Sequence, residues 1–242
     1  MKRLFSLQII KQSFKSVWIW WLISIIVTSI NLFAFPTSAG AENIDMLAMF
    51  AREGLGGNGV IFVTICAILF ANVFLTSEVD RGTLAITLST PTTRLKILSS
   101  KALVYIVLLV SISLCSGALG ALSPILHDIT FDYDKWWSII FLWSLYSFAL
   151  GGVAFAIGCW FNKSRYTLGM AAAILGLFFF MNMFATMESL EFCKYFTLQT
   201  LFNMSAVING ESVAPQMIAL ALIAIPLYTI GTIKFLKKDL PL

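Results

Sequence analysis

Six long runs of apolar residues, separated by short polar and charged stretches, dominate the pattern along this chain. Each run is long enough to cross a hydrocarbon core of roughly 30 Å as a helix. The short strand alternation that is typical of a membrane β-barrel is absent. The pattern predicts an all-α polytopic membrane protein, a single transmembrane domain over 1–242, with spans at about 17–36, 59–76, 102–126, 136–161, 167–187 and 215–233.

The distribution of positive charge predicts the orientation. If the N-terminus faces the cytoplasm, thirteen Lys and Arg residues lie in inner segments and only Arg52, Lys135 and Lys194 lie in outer ones. Because short cytoplasmic loops carry an excess of Lys and Arg, both termini are predicted to be cytoplasmic. Charged residues make up 12% of the chain, against about 25% in soluble domains, so no soluble domain is expected.

Two segments outside the spans have apolar residues at helical spacing. Residues 1–16 carry four basic residues, and their pattern predicts an interfacial amphipathic helix facing anionic head groups; the alternative is a basic flank that serves topology alone. Residues 188–214 form an outer segment that is either a helix dipping into the membrane against spans five and six or an exposed cap. The glycine-rich run at 54–59 is interpreted as a flexible turn before span two.

The spans lack the side chains that most chemistry needs. None contains Asp, Glu, Lys, Arg or His, which disfavours a proton-driven carrier. No nucleotide-binding glycine loop, metal-ligand spacing or catalytic constellation occurs in the sequence. We therefore expect no catalytic, cofactor-binding or metal site in this chain and no nucleic-acid partner, and any energy for work must come from elsewhere.

The stretch 78–101, between spans two and three, has the features of a docking device. Charged residues cluster at its start, Gly82 follows, and a short helix from Thr83 carries Leu84 and Leu88 on one face. Thr90-Pro91 is a helix-start signal, Thr as N-cap and Pro at the first position, and predicts a helix from Pro91 into span three. The short helix either rests on lipid or fits a groove on a soluble partner.

The same stretch carries a family resemblance. Glu78-Val-Asp-Arg-Gly-Thr-Leu84, then Leu88-Ser-Thr-Pro-Thr-Thr-Arg-Leu-Lys-Ile97 and Lys101, resembles the segment between the second and third spans of ABC-2 type permeases, the membrane subunits of bacterial ABC exporters. The carboxyl end, 235–242, is similar to the tail of small Gram-positive members. The resemblance implies a location in the bacterial plasma membrane.

The resemblance also implies partners. A full transporter would contain two such permease subunits, as a homodimer or heterodimer in membrane lipid, and two copies of a separate ATP-binding subunit that holds ATP and Mg. The segment 78–101 would then be the cytoplasmic coupling segment. The residues that would dock the ATP-binding subunit are Glu78, Asp80, Arg81, Gly82, Thr83, Leu84, Leu88, Pro91 and Arg94.

Two functional hypotheses remain at this point. The first is export of a hydrophobic or amphipathic substrate, a peptide by analogy with the family, along a path lined by residues of span five. The second is a membrane scaffold or sensor that docks a soluble partner without transport. The residues of the candidate path, for which lipid contact or core packing is the alternative, are Phe178, Phe179, Phe180, Met181, Met183 and Phe184.

Overall fold

The computed structural model describes residues 6–38, 46–84, 93–127, 130–185 and 187–238. Six helices are long and apolar enough to cross a membrane, and no strand occurs among these residues, so the predicted all-α polytopic fold is confirmed. We number these helices α1 (Leu7–Ser38), α2 (Met46–Asp80), α3 (Arg94–Gly120, followed by Leu122–Leu126), α4 (Tyr133–Trp160), α5 (Ser164–Phe184) and α6 (Ala214–Lys237).

Successive helices run in opposite directions, which gives the bundle two ends. At the Glu78 end, α1, α3 and α5 begin and α2, α4 and α6 finish. At the Trp136 end, the indole Nε1 of Trp136 donates to the carbonyl of Gly117, 3.0 Å away, and so joins the start of α4 to the last turns of α3.

The first span is longer than predicted. α1 is one helix of 32 residues from Leu7, and no proline or glycine interrupts its first turns. The described residues 7–16 therefore continue into the helix of span one without a break, and the position of 1–16 at the membrane interface stays a prediction. The backbone N–H of Ser6 donates to Ser100 Oγ at 2.9 Å, and Trp21 Nε1 donates to Ser111 Oγ at 2.8 Å, so α1 lies along α3.

The second span contains two π-helical stretches, Phe50–Gly59 and Asn72–Thr76. The interpretation of 54–59 as a flexible turn is wrong, because the run lies inside α2 and packs closely. A Cβ added at Gly54 would lie 2.5 Å from Leu32 Cδ2, and one at Gly59 would lie 3.0 Å from Trp143 Cζ2. The missing side chains let α1 and α4 approach the backbone of α2.

The third span starts later than the sequence signal predicts. Its N-cap is Thr93, which has an extended backbone with ψ 148° and whose Oγ1 accepts from Lys96 N at 3.3 Å. An extended residue at 93 excludes a continuous helix from Pro91, so that prediction is wrong. Thr90 and Pro91 themselves lie outside the described residues.

The fourth helix is the centre of the bundle. In α4, 72% of the most apolar stretch is buried, against 17% in α5, and α4 contacts α2, α3, α5 and α6. The hydroxyl of Tyr105 on α3 lies 3.0 Å from the carbonyl oxygens of both Ala67 on α2 and Gly151 on α4. Three helices thus meet at one buried polar group.

The 187–213 segment is neither a long helix nor an isolated cap. It forms the 3₁₀ turns Glu188–Phe196 and Leu198–Leu201 and a short α-helix, Met204–Ile208. Phe202 stacks on Tyr146 with ring centroids 5.3 Å apart. Tyr146 lies thirteen residues into α4, which is about 20 Å along a helix. The segment therefore packs well inside the bundle, against α4, α5 and α6.

Candidate functional site

Residues 77–84 form an exposed turn at the Glu78 end, which we call the 77–84 turn. α2 ends at Asp80, and Gly82 takes a left-handed backbone with φ 71° that only glycine adopts without strain. The N–H of Gly82 donates to Val79 O at 3.1 Å. Thr83 Oγ1 donates to Glu78 O at 3.3 Å. The glycine therefore closes the helix and turns the chain back over its last residues.

An ion pair between the buried Lys101 and the partly buried Glu78 fixes the base of this turn. Lys101 Nζ lies 2.6 Å from Glu78 Oε2, and the lysine side chain is 5% exposed while that of Glu78 is 31% exposed. The same ammonium donates to Phe74 O at 2.8 Å, a carbonyl within the π-helical stretch of α2. Lys101 thus connects the last turns of α2 to the start of α3.

The 77–84 turn is also joined to the start of α5. Asp80 Oδ2 accepts from the N–H of Ser164, the first residue of α5, at 3.0 Å. The first N–H groups of a helix have no partner within it, and a carboxylate there is favoured by the helix dipole. One turn earlier in α2, Thr76 Oγ1 lies 2.9 Å from Thr167 Oγ1 and 3.0 Å from Gly158 O. The end of α2 is therefore attached to both α4 and α5.

The end of α6 is hydrogen-bonded to the start of α3 and to the end of α4. Arg94 at the start of α3 donates to Lys238 O at 3.3 Å. Lys238 Nζ in turn donates to Cys159 O at 3.1 Å and to Phe161 O at 2.6 Å, which are carbonyls at the end of α4. Partial burial, together with nearby Lys234, lowers the pKa of Lys238 to about 8.

A small cavity lies between α1 and the 77–84 turn. Its volume is about 180 Å³, and seven of the eight described residues that line it are polar or charged. The side chains of Glu78 and Arg81 face it from the turn, and Gln12, Ser13 and Ser16 face it from α1. The turn is therefore not packed directly against α1, and a side chain from outside could enter between them.

The structure divides the predicted docking residues into four groups, and the first of these, Glu78 and Arg94, is partly buried. Asp80, Arg81, Gly82 and Thr83 are exposed, whereas Leu84 is 2% exposed and belongs to the core. Leu88 lies outside the described residues, as does Pro91. Leu84 therefore packs within this chain, because the positive φ of Gly82 turns it back toward the bundle, and the exposed part of the turn is polar.

The predicted path residues of span five differ in their solvent exposure. Phe180 and Met183 are 56% and 58% exposed, and Phe179 and Phe184 are exposed as well, whereas Phe178 and Met181 are partly buried. α5 buries only one stripe, Thr167, Ala171 and Leu175. Most of its surface is thus available to lipid, to substrate or to another subunit.

Comparison with known families agrees with this arrangement. A family model described as ABC-2 family transporter protein matches residues 10–240. The chain belongs to this family. It is thus the membrane component of an ABC transporter, a transport subunit and not itself an enzyme, in a family that normally works with an ATP-binding subunit. No curated protein matches the sequence.

Several residues of this ABC-2 permease that contact the 77–84 turn or the adjacent helix ends were not among the predicted docking residues. Lys101 had a signal, since it belongs to the motif that carries the resemblance. Ser164, Thr167 and Lys238 had none, because they are 84, 91 and 144 residues away from their partners on α2 and α3. Among the described residues, no group of three or more His, Cys, Asp or Glu residues could hold a metal ion.

Proposed function

We propose that this ABC-2 permease exports a hydrophobic or amphipathic substrate of the peptide class, driven by an ATP-binding subunit that docks on the 77–84 turn. The observation that carries the proposal is the contrast within the turn. Its exposed tip, residues 80–83, presents an acidic and a basic side chain outward, while its base is clamped by the Glu78–Lys101 pair. A partner that moves the tip therefore moves the helices.

The contacts of the turn indicate which helices would move when the partner displaces it. ATP and Mg would be bound by the partner, whose hydrolysis of ATP supplies the energy. Displacement of the turn would act on α3 through Lys101, on α5 through Asp80 and Ser164, and on α4 through Thr76. Arg94 and Lys238 would carry the same displacement to α6. No one helix would move alone.

The charge distribution supports a cytoplasmic position for the Glu78 end. Eleven of the fourteen Lys and Arg residues that the structure describes lie in segments at that end, as the positive-inside rule requires for cytoplasmic segments. The ATP-binding subunits would therefore approach from the cytoplasm, and both termini of the chain would lie on that side.

The exposed face of α5 supports the proposals for substrate and for a second permease subunit. Phe180, Met183 and Phe184 offer an apolar, adaptable surface. Nearer the Glu78 end, a Cβ added at Gly169 or Gly176 would meet no atom within 4 Å, and small residues allow close approach of a neighbouring helix in a membrane. In the proposal, α5 contacts a second permease subunit at Gly169 and Gly176 and cargo near Phe180.

The docking proposal is tested by reversing the charge of Arg81. In proteoliposomes that contain the permease and an ATP-binding subunit of the same organism, we expect Arg81→Glu to abolish subunit association and ATP-driven peptide export. Arg165→Glu is the matched control, because it is an exposed arginine at the same end of the bundle, and it should retain both. If the two variants behave alike, the turn is not the docking site; association without export would favour the scaffold hypothesis.

A further inference from the structure

Two cavities lie side by side at the Trp136 end, each of about 620 Å³. The side chains of Lys194 and Thr200 border both of them. The first, the apolar recess, lies between α5, α6 and the 187–213 segment. The second, the polar recess, lies between the end of α5 and the same segment. A single ligand that is apolar at one end and polar at the other could therefore occupy both, on either side of Lys194.

The apolar recess reaches a depth suited to a hydrocarbon chain. Its wall includes Ile223, nine residues after the start of α6 at Ala214, which is about 14 Å along a helix. On the other side Phe178 lies six residues before the last residue of α5, about 9 Å from its end. The remaining apolar wall comes from Phe196, Leu198 and Leu201.

The polar recess carries amide and hydroxyl groups beside the apolar side chains of Ala185 and Phe202. Asn182 reaches it from α5, and Gln199, Asn203 and Ser205 reach it from the 187–213 segment. Amide NH₂ groups, hydroxyls and an ammonium are donors suited to phosphate oxygens and glycerol hydroxyls. Among the described residues that line these two recesses, Lys194, at their border, is the one with a positive charge.

The backbone around Lys194 is held in place. Thr200 Oγ1 lies 2.9 Å from Lys194 O and 3.0 Å from Thr197 O. Thr197 Oγ1 donates to Phe178 O on α5, at 3.0 Å. Cys193, next to Lys194, is buried. The backbone of Lys194 is therefore held in place between the two recesses. Its side chain is exposed.

We propose that the two recesses form a phospholipid-binding site, with an acyl chain in the apolar recess and the phosphate at Lys194 and the amides of the polar recess. A phospholipid fits better than a peptide, because Ile223 of the apolar wall is next to Leu222, which is 64% exposed, so the wall adjoins an exposed apolar face of a membrane-spanning helix. The lipid holds the 187–213 segment against α5 and α6. This site does not depend on docking at the 77–84 turn.

Native mass spectrometry of the full-length permease in detergent tests the phosphate contact. Dioleoyl phosphatidylglycerol and dioleoylglycerol carry the same chains, and only the first has a phosphate. We expect the wild-type protein to bind the first lipid more tightly, and Lys194→Gln to weaken that binding about tenfold, a factor equivalent to about 1.4 kcal/mol, without changing the binding of dioleoylglycerol. Lys135→Gln, the control at the same end of the bundle, should leave both unchanged.

The acyl-chain contact is tested by filling the apolar recess. Ile223→Trp should reduce the binding of both lipids, whereas Ile218→Trp, at a 60% exposed position of the same helix outside the recess, should not. Gel filtration shows whether each variant is folded. Equal binding of the two lipids by the wild-type protein, unchanged binding by Ile223→Trp, or Lys194-dependent binding of an acidic amphipathic peptide without binding of phosphatidylglycerol would each overturn the proposal.

Discussion

Lys101 Nζ lies 2.6 Å from Glu78 Oε2, and only one of the two side chains has access to solvent. The lysine is 5% exposed and the glutamate 31%. The desolvation of the ammonium is offset by Glu78 and by the carbonyl of Phe74, 2.8 Å away. This asymmetry means that the two partners of the pair are not equally replaceable.

Removal of the carboxylate is expected to cost more than removal of the lysine. Glu78→Gln leaves a buried ammonium with neutral acceptors only, the carbonyl of Phe74 and the new amide oxygen, and we expect a loss of about 3 kcal/mol, the lower end of the cost of an unpaired buried charge. Lys101→Met leaves a carboxylate that water can reach, with a loss of about 1 kcal/mol. Tryptophan fluorescence during thermal unfolding in detergent measures both.

The double variant Glu78→Gln/Lys101→Met provides the control for this pair. Because it contains no unpaired buried charge, we expect it to be more stable than Glu78→Gln alone. If the two single effects simply add, the pair does not stabilise the base of the 77–84 turn.

The prediction of six spans from sequence succeeded because charge is excluded from hydrocarbon, and the charged gaps are visible without any tertiary information. The extent of α2 was not predictable in this way. Gly54 and Gly59 are typical of a turn in an isolated sequence, and only Leu32 and Trp143, which are distant in sequence, explain why a helix has glycine there. Local propensity is overridden where another helix occupies the missing side-chain volume.

Only the part of the candidate site that lies in one continuous stretch of sequence could be predicted. Glu78, Asp80 and Arg81 are conspicuous charges between apolar runs, so a docking role could be inferred from them. Asp80 accepts from the backbone N–H of Ser164, and Lys101, the partner of Glu78, donates to the backbone carbonyl of Phe74. Backbone groups have no residue-type signal. The burial of Leu84 depends on the left-handed Gly82, whose φ is likewise not encoded in an apolar pattern.

The cap that Asp80 provides to α5 has a measurable local effect. We expect Asp80→Ala to destabilise the first turn of α5 by about 1 kcal/mol, the usual cost of losing a side-chain cap. Hydrogen exchange of the amides of residues 164–167 should become faster. Asp80→Asn keeps an oxygen acceptor and should retain most of the protection, and exchange that is unchanged in Asp80→Ala would mean that the 3.0 Å contact contributes nothing.

Alanine variants of Gly82 and Gly210, which both have a positive φ, distinguish an effect on export from an effect on stability. Gly82 and Gly210 have φ of 71° and 79°, and an added Cβ at either would meet no atom within 4 Å. Alanine at each should therefore cost a similar backbone strain of about 1 kcal/mol. We expect only Gly82→Ala to lower ATP-driven export in proteoliposomes, since Gly210 is at the Trp136 end. An equal loss of export in both variants would contradict a special role for the turn.

Leu32 is held between two glycines of different helices. A Cβ at Gly54 would lie 2.5 Å from Leu32 Cδ2, and one at Gly120 would lie 2.6 Å from Leu32 Cδ1. Because Leu32 is fully buried and cannot move away from one without meeting the other, Gly54→Ala should cost about 2 kcal/mol by overpacking. Gly57→Ala, where the added Cβ would approach only Arg52 O at 3.8 Å, should be tolerated. Thermal unfolding compares them, and equal midpoints would refute the close packing of α1 on α2.

The lowered pKa of Lys238 predicts a pH dependence in the alkaline range. Partial burial, with Lys234 nearby, lowers this pKa from 10.5 to about 8 in the folded protein. Between these two values the unfolded chain retains a proton that the folded chain has released, so the free energy of unfolding rises with pH over that window. The neutral amine keeps two N–H groups and can still donate to Cys159 O and Phe161 O.

Other groups titrate over the same range, so the test compares variants. Lys238→Gln lacks this titration, and the stability of the wild-type protein relative to Lys238→Gln should increase from about pH 8 to about pH 10.5, the window set by the two pKa values. Lys237→Gln, at an exposed neighbouring position, should remain parallel to the wild-type protein. A Lys238→Gln curve that also remains parallel would show that Lys238 keeps an ordinary pKa, and that its contact with the end of α4 leaves the ammonium hydrated.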